Sequence, residues 1–104
     1  NIPDNADFPV TEKSIIKAVC KYYGTDTKLL VSTKRDKKTS LVRHITMYLL
    51  RLEMNTQFAE IGRILGGRDH TTVIHACNRI ASLINSDDVL RSDVNNILVH
   101  IQEQ

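Results

Sequence analysis

The sequence predicts an all-α protein: a compact bundle of about six helices containing a helix-turn-helix with a basic loop before it. Three observations predict it. Apolar residues recur at helical spacing in four segments, no segment alternates with a period of two, and the pair Gly66-Gly67 separates a short helical pattern from a longer one.

The elements follow in order. Pro3 and Pro9, beside Asp4, Asn5 and Asp7, mark residues 1–10 as a linker and leave 11–104 as the folded domain. From Thr11, a natural N-cap, Ile15, Ile16, Val19, Cys20 and Tyr23 form the stripe of a first helix, and Gly24 ends it. A short element around Asp26–Val31 comes next. The stretch from Ser32 to Thr39 has no apolar face and is expected to be an exposed basic loop. Leu41, Ile45, Tyr48, Leu49 and Leu52 then stripe a third helix beginning near Thr39 or Ser40, with Arg43, His44 and Arg51 on its outer face. Residues 58–65 make a short helix that Gly66-Gly67 must end, because glycine enters left-handed backbone conformations cheaply. Asp69 is placed to cap a longer helix from His70, whose stripe is Val73, Ala76, Cys77, Ile80 and Ile84 and whose other face shows Thr71, Thr72, His75 and Arg79. A last helix starts at Ser86, with Asp87 and Asp88 in its first turn and Leu90, Val94, Ile97, Leu98 and Ile101 inward.

Composition bounds what such a chain can be. Its 104 residues, 41% apolar and 25% charged with two prolines and four glycines, suit one globular domain and exclude a two-domain enzyme. Cys20 and Cys77 stand far apart and suggest no disulfide framework, so a reducing cytoplasm is expected. No apolar run is long enough for a membrane helix. The chain opens at Asn1 without an initiator methionine, as a fragment or processed product would.

The net charge of +2 hides an uneven distribution. Residues 28–51 hold seven cations (Lys28, Lys34, Arg35, Lys37, Lys38, Arg43 and Arg51) against one acid, Asp36, so that block carries a surplus of six and the rest a deficit of four. A localised positive field of this kind points to a polyanion, with nucleic acid first. The helix-turn-helix adds the means of reading one, since it presents the start of its second helix to major-groove base edges. Threonine can donate, accept or offer a methyl to thymine, histidine can bond a purine edge, and aspartate can accept from cytosine N4. The Lys34-Arg35 finger could enter a minor groove or follow its phosphates.

Glu60-Ile61-Gly62, followed by Gly66-Gly67-Arg68-Asp69-His70-Thr71-Thr72-Val73-Ile74-His75-Ala76-Cys77, resembles the signature of the C-terminal DNA-binding domain of the DnaA family of bacterial chromosomal replication initiators. The resemblance runs from about Val10 onward and takes in Tyr22-Tyr23 and Met47-Tyr48-Leu49. It implies recognition of an A·T-rich, nine-base-pair box of duplex DNA in the replication origin, for the initiation and regulation of chromosomal replication. Asp69, His70, Thr71 and Thr72 would face bases in the major groove, and Arg35 would enter the minor groove. Lys34, Arg43, His44, Arg51 and Arg68 would hold phosphates or lie close to them. The resemblance also implies a cytoplasmic, nucleoid-associated protein whose intact form binds ATP through an upstream module, self-assembles on the origin and admits a regulatory protein partner. This fragment itself would need no cofactor. Where the family has an arginine and a proline before the third helix's arginine and a glutamine after it, this chain has Leu41, Val42 and His44.

Other chemistries are weaker. His70, His75 and Cys77 do not make a metal site, because Cys77 falls on the buried stripe and no fourth ligand is evident. Asp69-His70 has no placed nucleophile beside it, so no catalytic residue and no enzyme is expected. Gly66-Gly67 is not part of a nucleotide-binding loop. Tyr22 and Tyr23 read as core aromatics. The rival functions are a helix-turn-helix transcription regulator and a helical protein-interaction domain whose basic loop docks an acidic partner.

Overall fold

The computed structural model describes residues 10–103 and contains six helices: α1 (Glu12–Tyr23), α2 (Thr27–Leu30), α3 (Lys37–Met54), α4 (Phe58–Ile64), α5 (His70–Ser86) and α6 (Asp88–Glu103). There is no strand among the described residues. Of the expected linker, residues 1–9 lie outside the described part, and Val10 packs against the core.

Short polar side chains set the helix starts by accepting bonds from first-turn amides that lack helical partners. The Thr11 hydroxyl accepts from Ser14 N at 3.1 Å while Ser14 Oγ accepts from Thr11 N at 2.9 Å, a reciprocal cap for α1. Asp26 accepts from Lys28 N at the start of α2, and Asp36 from Thr39 N at the start of α3. Gly24 at φ 66° and Asn55 at φ 52° end α1 and α3 in left-handed conformations.

Two expected boundaries move. α3 begins at Lys37 rather than near Thr39, because Asp36 is its cap; the basic loop is therefore only the segment 31–36, and Lys37 and Lys38 belong to the helix. Ser86 is the last residue of α5, and Asp87, whose carboxylate accepts from Leu90 N at 3.0 Å, takes the capping place before α6.

α3 is the central helix, packed against α1, α2, α4 and α5, while α6 closes over α1 and α5. That position explains why the single apolar stripe expected for α3 is only part of what is buried. Val42, Ile45, Thr46, Met47, Leu49 and Leu50 are fully inaccessible, Leu41 and Tyr48 are half-buried, and Leu52 is 52% exposed. A helix covered by neighbours on several sides buries most of its circumference. The outer helices keep their one-sided patterns: Ile15, Val19 and Cys20 on α1, Val73, Ala76, Cys77 and Ile80 on α5, Leu90, Val94, Ile97 and Ile101 on α6. Each fully buried Ile, Leu or Val contributes about 1.5–3 kcal/mol, so this shared core is what sets the helices' mutual positions. One polar tie adds to it: the Tyr22 and Tyr23 hydroxyls donate to the two oxygens of Asp93, at 2.7 and 3.1 Å, joining α1 to α6.

Candidate nucleic-acid interface

The helix-turn-helix is α4, the turn 65–69 and α5. After Leu65 the chain reverses through Gly66 at φ 94° and Gly67 at φ 78°, a backbone that residues with a Cβ adopt only with strain. The Gly67 and Arg68 amides both donate to Gly62 O at 2.9 Å, which folds the turn back onto α4. The close fit explains Gly62, buried within α4: a Cβ there would overlap the carbonyl of Arg68. Asp69 then caps α5, Oδ2 accepting from Thr71 N at 2.9 Å, and this bond holds its carboxyl below the usual range. Its other oxygen, Oδ1, is exposed and lies 3.7 Å from His70 Nδ1. The apolar stripe of α5 turns inward and leaves Asp69, His70, Thr71, Thr72, His75 and Arg79 exposed.

The basic loop lies beside this surface. Ser32 Oγ donates to Leu29 O at 2.7 Å and accepts from Lys34 N at 3.2 Å, turning the chain sharply after α2. Arg35 is exposed, and so are Lys34, Lys37 and Lys38. Lys34 stands 3.8 Å from Asp36 in an exposed pair that constrains it little. Among the described residues, Arg35, Lys37, Lys38 and Arg79 are in no ion pair.

Between loop and helix runs a cleft of about 370 Å³, with Ser32 and Arg35 on one wall, Thr72 on the other, and Ser40, His44 and Arg68 also lining it. Two smaller hollows continue it, one bordered by His44, Thr72, His75 and Arg79, the other by Arg35, Lys37, Ser40, His44 and Arg79. His44 of α3 borders all three. Half-burial, then Arg79, Arg43 and Arg68, push its imidazole below the ordinary histidine range, so it is neutral at pH 7 and offers one N–H. Burial followed by the charge of Arg68 lowers Arg43, and burial followed by Arg35 lowers Arg68, although both guanidiniums stay charged. These mutual repulsions mark a positive field that a polyanion would relieve.

The structure thus brings together Arg35, His44 and Thr72, with Asp69, His70 and Thr71 on the adjoining exposed helix start. It does not leave every expected phosphate contact free. Arg43 is 4% exposed, its Nε donates to Leu30 O at 2.9 Å, and its Nη2 donates to Leu29 O, Ser32 O and Lys34 O at 3.0–3.2 Å. The expectation that it lies on the outer face of α3 is thereby corrected: it lies inside the protein, because a buried guanidinium needs acceptors and the backbone carbonyls at the end of α2 and in the loop after it supply them. Arg68 is also turned inward, donating to Leu30 O, Leu65 O and Ser32 O. Arg51, at the far end of α3, donates to Thr56 O at 3.1 Å, and its guanidinium lies 4.4 Å above the Phe58 ring, away from the cleft. Arg79 received no role from the sequence, yet it borders both smaller hollows; its place four residues after His75 and seven after Thr72 is the signal for it. No group of three or more potential metal ligands occurs among the described residues.

Comparison with known proteins agrees with this architecture. A family model described as the bacterial dnaA protein helix-turn-helix matches residues 13–80. The chain is 44% identical over 85 residues, 82% of its length, to the chromosomal replication initiator protein DnaA of Roseiflexus castenholzii, of which it covers 18%. It is 41% identical over 93 residues, 89% of its length, to that of Chloroflexus aurantiacus, covering 19%, and 41% identical over 88 residues, 85% of its length, to that of Herpetosiphon aurantiacus, also covering 19%. It therefore spans about a fifth of these curated relatives. With the signature Gly66–Cys77 built as a glycine turn and a capped, outward-facing helix, the chain belongs to the bacterial DnaA helix-turn-helix family.

Proposed function

We propose that this domain binds double-stranded DNA by sequence and without catalysis, at an A·T-rich nine-base-pair box of a bacterial replication origin. The start of α5 enters the major groove, where His70, Thr71, Thr72 and Oδ1 of Asp69 meet base edges. Arg35 enters the adjoining minor groove, whose narrow A·T steps concentrate negative potential. Lys34, Lys37, Lys38, Arg79 and the N–H of His44 hold the phosphates. The observation that carries this is the shared cleft, with Arg35 and Thr72 on its two walls beside the exposed helix start. In the intact protein the domain would address an ATP-binding, self-assembling initiator to the origin in the cytoplasm.

Fluorescence anisotropy with a box-containing duplex and a shuffled one, at fixed salt of about 150 mM, tests the proposal. Preference for the box by several kcal/mol supports it, and weak, equal binding to both points instead to a protein-interaction module. Arg35→Ala should weaken binding more on A·T-rich than on G·C-rich flanks, and equal losses would remove Arg35 from the minor groove.

A further inference from the structure

The basic loop carries exposed charges but its backbone is held from beneath by two arginines that come from different elements. Arg43 rises from α3 and donates to four carbonyls, of Leu29, Leu30, Ser32 and Lys34. Arg68 belongs to the turn of the helix-turn-helix and donates to two of the same four, Leu30 O at 3.4 Å and Ser32 O at 2.6 Å, while also donating to Leu65 O at the end of α4. Shared acceptors make the loop and the turn one hydrogen-bonded unit. Gly66 shows how closely they meet: a Cβ there would lie 2.5 Å from Val31 O and 2.7 Å from Arg68 Nη1.

We infer that Arg68 and Arg43 are positioning residues that clamp the 31–36 loop to the helix-turn-helix turn and so fix where Arg35 stands relative to the start of α5. This rests on the proposed DNA-binding reading. Two contacts that enter different grooves must keep one spacing, and an unclamped loop would have to be ordered at each encounter. A planar guanidinium fork suits the task because it can serve several fixed carbonyls at once, which a single ammonium cannot.

Two measurements on the 104-residue chain test it, using Arg68 because it is only partly buried and lies outside the apolar core, whereas Arg43 is buried. In amide hydrogen exchange without DNA, Arg68→Met should speed exchange at residues 32–36 and leave α1 and α6 unchanged; unaltered loop amides would overturn the clamp. In binding, Arg68→Met should weaken the box duplex about tenfold or more, the cost of re-ordering as little as one residue. The double variant Arg35→Ala/Arg68→Met should be little weaker than Arg35→Ala alone, and the salt slope should stay that of the parent. Arg68→Lys, which keeps the charge and loses the fork, should behave as Arg68→Met. Multiplying losses, a slope reduced by about one, or rescue by lysine would show a direct phosphate contact and overturn the inference. A parent chain without box preference would defeat the DNA-binding reading, and the exchange experiment would still report on the clamp.

Discussion

Gly62→Ala is a demanding test of how the turn holds the two helices of the motif. At an ordinary helical position the change would stabilise, since glycine in a helix costs about 0.5–1 kcal/mol relative to alanine. Here the added methyl would overlap Arg68 O, lie 3.1 Å from that carbonyl's carbon and reach 3.5 Å from Val73 Cγ2. Forcing a methyl into such a space costs about 1–3 kcal/mol. Displacing the Arg68 peptide also weakens the two 2.9 Å bonds from the Gly67 and Arg68 amides to Gly62 O, at about 1 kcal/mol each. Set against the propensity gain, the net is a loss of about 2–4 kcal/mol, which for a domain of this size lowers the thermal midpoint by about 10–25 °C. Far-UV circular dichroism melting measures it, with Gly67→Ala as the comparator. Gly67 has the unusual φ of 78° but nothing within 4 Å of a Cβ, so that variant should lose only about 1–2 kcal/mol of left-handed strain. A Gly62→Ala midpoint equal to or above that of the parent, or above that of Gly67→Ala, would refute the close approach of turn and helix.

The same fold has other measurable consequences. Because burial and nearby arginines depress His44 in the fold, the unfolded chain takes up that proton first as pH falls; the stability present above about pH 6.5 is lost below it, toward the lowered folded value. Urea midpoints at about pH 7 and 5.5 should therefore differ more for the parent than for His44→Gln, and equal differences would exclude His44 as the source. The depressed carboxylates Asp36 and Asp69 act in a separate window, below about pH 4. Asp69→Ala should lower the thermal midpoint and Asp69→Asn should largely keep it, because an amide oxygen can still accept from Thr71 N; equal losses would deny the cap. Burial pushes the Cys20 thiol up to about 11 and raises Cys77 as well, so neither should react with iodoacetamide at about pH 8 until the domain is unfolded. Rapid labelling of the native protein would contradict that.

What the sequence made legible were features written locally. The stripes of α1, α5 and α6 could be read because each helix buries one side, and the Gly66-Gly67 reversal and the Asp69 cap because their residue types are dictated by backbone geometry. α3 defied the same method: a central helix buries Val42, Thr46 and Met47 along with Ile45 and Leu49, and no stripe describes it. Arg43 shows the deeper limit. Its acceptors lie 9 to 14 residues earlier in the chain, on backbone carbonyls that carry no residue signature, so a cation that looked free for phosphate is a buried support. Gly62 is similar, since only the fold brings Arg68 O against it. Of the departures, Val42 is fully buried inside α3, and Leu41 borders the hollow shared by Arg35, His44 and Arg79.

On the proposed reading, loop and helix start touch the same duplex together. Titrating isotope-labelled domain with a box-containing duplex while following backbone amide resonances tests it most directly. Residues 32–36 and 69–75 should shift in concert, at one stoichiometry, with the outer surfaces of α1 and α6 undisturbed. Shifts confined to one of the two segments, or gathered on α1 and α6, would contradict it.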